Sequence, residues 1–260
     1  MAMFRRKAPS EMKALETKEA HCQSRSRKST GQSLIELGVI MPILLIMILG
    51  VVEVAVFLGA YLDGLDLVRE AGRFASLRDP FYTGPTDMNC STPEFNFFYD
   101  TACIFSPPRG DPSCVVNDPF CNGVNSSRHL DMTTDDIVIS AYTVVDNTVT
   151  ESFPLGTGYY AYSDHDGDVV HNGNWQKDCN GNTVLLAPMF NETKMNSLLS
   201  SVAPPKRGFV AVEYYFCYHH LLNAPLISDI LPNPKRVHVY TIISLPAAIP
   251  TSTPYQTPTP

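Results

Sequence analysis

The stretch TGQSLIELGVIMPILLIMILGVVEVAVFLGAYL, residues 30–62, decides how the rest of the chain is read. Between Glu36 and Glu53 it carries no charge over Leu37–Val52, which makes about 24 Å of helix. Carried through Glu53 to Leu62 the apolar run reaches about 39 Å by the same rise. A bilayer core of about 30 Å needs about 20 residues, so one membrane span is expected here, and the chain has no second segment like it. A cleaved secretory signal is the poorer reading. The apolar run is too long, a polar stretch of about 30 residues precedes it, and no A-x-A site follows.

Charge sorts the flanks. Residues 1–31 hold eight basic and three acidic side chains, a net +5, whereas the remaining residues hold 11 basic and 23 acidic, a net −12. The Lys/Arg excess places the N-terminal side in the cytoplasm and residues from about 63 onward outside. An outer part this acidic repels phosphate backbones, so no nucleic-acid partner is expected. Cysteine usage agrees. Cys22 is alone on the inner side, while Cys90, Cys103, Cys114, Cys121, Cys179 and Cys217 lie beyond the span, an even set where disulfides persist. Six cysteines allow 15 pairings, and spacing does not choose among them. The absence of any C-x-x-C pair argues against zinc.

Glu36 and Glu53 stand at or inside the span, where a charge costs at least about 2.5 kcal/mol unless it finds a partner. Gly31 precedes Glu36 by five residues, just before the apolar helix. This spacing resembles the processing site of type IV prepilins. The wider pattern is similar to the TadE-like minor pilins of tight-adherence (Tad) systems, which read G-Q-x-L-x-E, then Pro, Gly and a second Glu at six, fourteen and seventeen residues after the first. The matching positions are Gly31, Gln32, Leu34, Glu36, Pro42, Gly50 and Glu53. After the span the family carries an A-R-E-G-A-R-Y-A-like run. This chain has Val68-Arg69-Glu70-Ala71-Gly72-Arg73-Phe74-Ala75, with Gly and Ala transposed and Phe for Tyr, and Leu37 stands where an aromatic is usual.

The resemblance implies cleavage after Gly31 by a membrane prepilin peptidase. The new ammonium on Gln32 would pair with Glu36 of a neighbouring subunit, neutralising two groups costly in lipid and setting axial register. Glu53 would pair with a basic residue of a partner helix or sit at the outer interface. Pro42 removes a backbone donor and should kink the helix, and Gly50 permits close helix approach. The implied partners are other pilin-like subunits, the Tad assembly platform, the peptidase and membrane lipid.

Beyond Leu62 the helix is expected to continue as an amphipathic stem to about Arg78, with Leu65, Val68, Gly72 and Ala75 on one stripe and Asp79-Pro80 ending it. Residues 80–131 hold four of the outer cysteines and little periodicity, and read as a loop insertion held by disulfides. Strands are expected over Ile137–Val145, Phe209–Tyr218 and Val237–Ile243, and a short Asn-capped helix over Asn191–Val202. The fold class is α+β: a long membrane helix and stem with a small, mainly antiparallel sheet packed on its upper part. The expected organisation is a basic leader (1–31), helix and stem (32–79), cysteine-rich insertion (80–131), extracytoplasmic α+β domain (132–250) and a Pro/Thr tail (251–260).

Catalytic chemistry finds little support. No H-E-x-x-H, G-x-S-x-G, G-x-x-x-x-G-K or G-x-G-x-x-G occurs. Asp164, Asp166 and Asp168 alternate as Ca²⁺ ligands do. Yet Gly167 falls at the fourth position rather than the sixth, and a solvated turn is the stronger reading. No cofactor and no enzymatic activity are expected. The expectation is a TadE-like minor pilin or pseudopilin that assembles, anchors or caps an adhesive pilus. The alternative is an unprocessed single-pass membrane protein whose disulfide-bonded outer domain binds a carbohydrate or another protein.

Overall fold

The computed structural model describes residues 30–80, 89–91, 96–114, 120–124, 127–165, 176–199, 206–221 and 233–245. The leader before Thr30 and the tail 251–260 lie outside the described residues. The chain forms two compact units, Met1–Val52 and Glu53–Pro260.

Helix α1 (Thr30–Ser76) runs through Pro42 and begins in the first unit. Pro42 removes one backbone donor, yet long unbranched and branched apolar residues on either side sustain the helix. Its apolar side chains there point to the surroundings: Leu34 is 71%, Met47 64% and Val51 70% exposed. In water such a surface would be prohibitive; in hydrocarbon it is the ordinary condition.

In the second unit α1 turns amphipathic. Phe57, Ala60, Tyr61 and Leu65 pack partly, and Leu67, Val68, Ala71 and Ala75 fully, at the three- and four-residue spacing of one helix face. The opposite face carries Asp66–Arg69 and Glu70–Arg73 pairs in solvent. The helix ends at Ser76, two residues short of the expected Arg78.

The buried face rests on an antiparallel sheet of β1 (Asp136–Val145), β2 (Thr148–Phe153), β3 (Tyr160–Ala161), β4 (Lys206–Tyr218) and β5 (Lys235–Leu245). The order is β2-β1-β4-β5, with β3 also beside β1. Register places Ile139 opposite Val212 and Val212 opposite Thr241. Alternate residues therefore face α1: Ile137, Ile139, Val210, Val212, Tyr214, Phe216, Val237 and Val239 are all buried. Each large apolar side chain buried this way contributes about 1.5–3 kcal/mol. Helix and sheet meet closely at Gly72, where a Cβ would come within 2.6 Å of Thr241 Cγ2 and 2.8 Å of Ile243 Cδ1. The sheet's other face is covered by Phe190 and by Met195 of α4 (Glu192–Leu198), against Tyr142, Val144 and Ala211. Asn191 caps α4 by accepting the Lys194 amide at 2.9 Å.

All six outer cysteines pair: Cys90–Cys103, Cys114–Cys121 and Cys179–Cys217. The first two close short loops between α1 and β1. That segment is more than a loop held by disulfides. It contains α2 (Phe97–Ala102), and its Phe97, Tyr99, Phe105 and Phe120 enter the same core as α1 and the sheet.

Candidate functional site

Gly31 and Gln32 fall in the first turn of α1, and Glu36 follows one turn later with its side chain exposed. Gly50 has open space around it: a Cβ there would meet nothing within 4 Å, and the same is true of Gly38 and Gly59. A helix surface of this kind admits another helix at close range.

Glu53 opens the second unit, and its surroundings are different. Its carboxylate Oε1 accepts the Tyr218 hydroxyl at 2.9 Å and the Leu221 amide at 3.3 Å, and lies 2.9 Å from Nδ1 of His220. These donors come from the end of β4, 165 or more residues away in sequence. Phe57, one turn along α1, meets the Tyr218 ring edge-on at 5.1 Å. Burial first, and then the hydrogen bond and charge of Glu53, push the Tyr218 phenol up to about 12, so it stays neutral and donating. The second carboxylate of the motif thus has partners in its own chain, which no spacing within residues 30–76 encodes.

Three further carboxylates, not singled out from the sequence, lie buried in the outer domain. Asp135 accepts the Tyr214 hydroxyl and the Cys217 amide. Asp136, fully buried, accepts from the amides of Ile137, Ser163 and Gln176 and from the Ser163 hydroxyl; burial still raises it to about 7. Glu213 takes the amides of Met189 and Phe190 and the Tyr215 hydroxyl, with His238 Nε2 at 3.0 Å. Each ties a connecting segment to the sheet, a structural use of buried charge.

Asp164 is buried in the short helix α3 (Tyr162–His165), while Asp166 and Asp168 lie outside the described residues. Among the described residues no group of three or more His, Cys, Asp or Glu side chains is placed to hold a metal ion.

Among the described helices α1 is the one long and apolar enough to cross a membrane, which fits a single-pass membrane anchor. Residues 31–73 match the family model described as TadE-like protein. The match spans Gly31, Glu36, Pro42, Gly50, Glu53 and the Arg69–Arg73 run, and it points to a protein associated with Tad pili, a structural rather than enzymatic family. No curated protein and no solved structure matches the chain.

Proposed function

We propose that the chain is a minor pilin or pseudopilin that takes part in assembling, anchoring or capping a Tad-type pilus. The observation that carries this reading is the register of Gly31, Glu36, Pro42, Gly50 and Glu53 on a single helix, within the segment that the TadE-like model matches. The leader, net +5, stays in the cytoplasm, and the disulfide-bonded sheet lies outside, where cystines persist. A membrane peptidase cuts between Gly31 and Gln32. The ammonium so formed pairs with Glu36 of a neighbouring subunit in the low-dielectric membrane, where an unpaired charge of either sign is costly. The open surface around Gly38 and Gly50 receives a neighbouring helix. No covalent chemistry is performed by the subunit; its work is helix packing in lipid and contact outside.

Intact mass and N-terminal sequencing of the membrane-extracted protein test this, in cells with and without the prepilin peptidase. The expected mature chain starts at Gln32 and disappears in the peptidase deletion and in Gly31→Leu. A chain that retains residues 1–31 in every strain overturns the pilin reading and favours an unprocessed anchor whose outer domain binds a ligand.

A further inference from the structure

Glu53 stands where α1 stops being apolar all round, and its carboxylate is taken up from the sheet. Glu53 and His220 are 18% and 14% exposed, so the pair is largely shielded from water. Its partners are themselves held. Tyr218 is paired with Lys235 in the β4–β5 ladder, and the His220 amide donates to Asn233 Oδ1 at 3.0 Å while its ring stands edge-on to Tyr218 at 5.5 Å.

We propose that Glu53 is a positioning residue: held by Tyr218 and His220 of its own outer domain, it fastens the sheet to α1 at the outer end of the apolar segment. For its consequence in the pilus this rests on the reading of α1 as the assembly helix. It assigns the second carboxylate of the motif to the subunit's own domain and leaves the intermolecular pairing to Glu36.

The contact is one-sided in its chemistry. The Glu53 carboxylate can only accept, and the Tyr218 hydroxyl, the Leu221 amide and Nδ1 of His220 converge on the same oxygen. Tyr218 stays neutral through the physiological range and so keeps its proton to donate. Hydrogen bonds to a charged acceptor are stronger than neutral ones, and removing the charge weakens all three at once.

Amide hydrogen exchange of the full chain in neutral-lipid nanodiscs, read at residues 54–61 and 216–221 and corrected for intrinsic rates, tests the fastening. Glu53→Gln should exchange these amides about tenfold faster than wild type, with the β1–β4 core unchanged. Tyr218→Phe, which keeps the ring and removes one donor to Glu53, should speed exchange at the same amides a few-fold. Equal protection in Glu53→Gln and wild type would overturn the proposal. So would wild-type protection in Tyr218→Phe, and that arm stands even where Glu53→Gln fails to fold. Gly31→Leu blocks processing without touching these contacts, so failure of the pilin reading and failure of the fastening are separately visible.

Discussion

The two halves of α1 share one backbone and two solvents. From Leu34 to Val52 nearly every side chain is apolar and exposed; from Phe57 to Ala75 apolar residues occupy one face and charged pairs the other. The first half satisfies its backbone internally and leaves its side chains to lipid or to another helix. The second half is stable only because the sheet covers its apolar stripe. Composition alone therefore reads the first half, whereas the second is read by its period, and the same residue type has opposite value in each.

The largest way to break the comparison is to remove core from one half and matching bulk from the other. Phe216→Ala should destabilise the outer domain by about 3–5 kcal/mol in urea unfolding of the micelle-bound chain. Leu45→Ala, in the exposed half, should leave that midpoint where it is. A midpoint lowered equally by both would mean that the halves are not energetically separate.

The glycines sharpen it. Gly72→Val drives a side chain into Thr241 and Ile243 and should cost about 1–3 kcal/mol of domain stability. Gly50→Val meets open space and should leave the domain's unfolding unchanged, reducing only recovery of assembled pilus.

The smallest effect is electrostatic and belongs to the sheet-covered half alone. Asp100 of α2, half-buried, is raised to about 6 chiefly by burial, against the opposing amide bond from Asn96 and the charge of Arg78. The folded state thus holds this proton more tightly than the unfolded chain, so the group's contribution is best below about pH 4 and declines as pH rises through about 6. Relative to Asp100→Asn, wild type should lose about 1 kcal/mol between pH 4 and 7, allowing for its partial exposure. A difference that grows with pH in the other direction would show that Arg78 pairing, not burial, governs the site.

Legibility in the sequence followed physical scale. β1, β4 and β5 were visible through their Val, Ile, Tyr and Phe content and, in β1 and β5, through apolar residues at alternate positions, and α4 through its Asn191 cap. β2 was not. Thr148–Phe153 mixes polar and apolar residues at the sheet margin, and its hairpin turns on Asp146 and Asn147, both at positive φ without the glycine that usually announces such a turn. α2 is only six residues, too short for a period, although Asn96 and Asp100 bracket its first turn. At the candidate site, Gly31, Glu36 and Glu53 were legible through spacing along one helix. Tyr218 and His220 were not, since long-range register alone brings them to Glu53.

The contact of α1 with β5 has a consequence for the order of events during synthesis. Gly72 leaves the ribosome roughly 170 residues before Ile243, the side chain it packs against, which at cellular elongation rates is a wait of roughly 10–30 s. Throughout that interval the apolar stripe Phe57–Ala75 has emerged and β5, the last of its covering strands, has not. A nascent chain therefore passes through a window in which the Gly72 side of its stem is open to any passing hydrophobic surface, and synthesis has to deliver β5 before something else arrives.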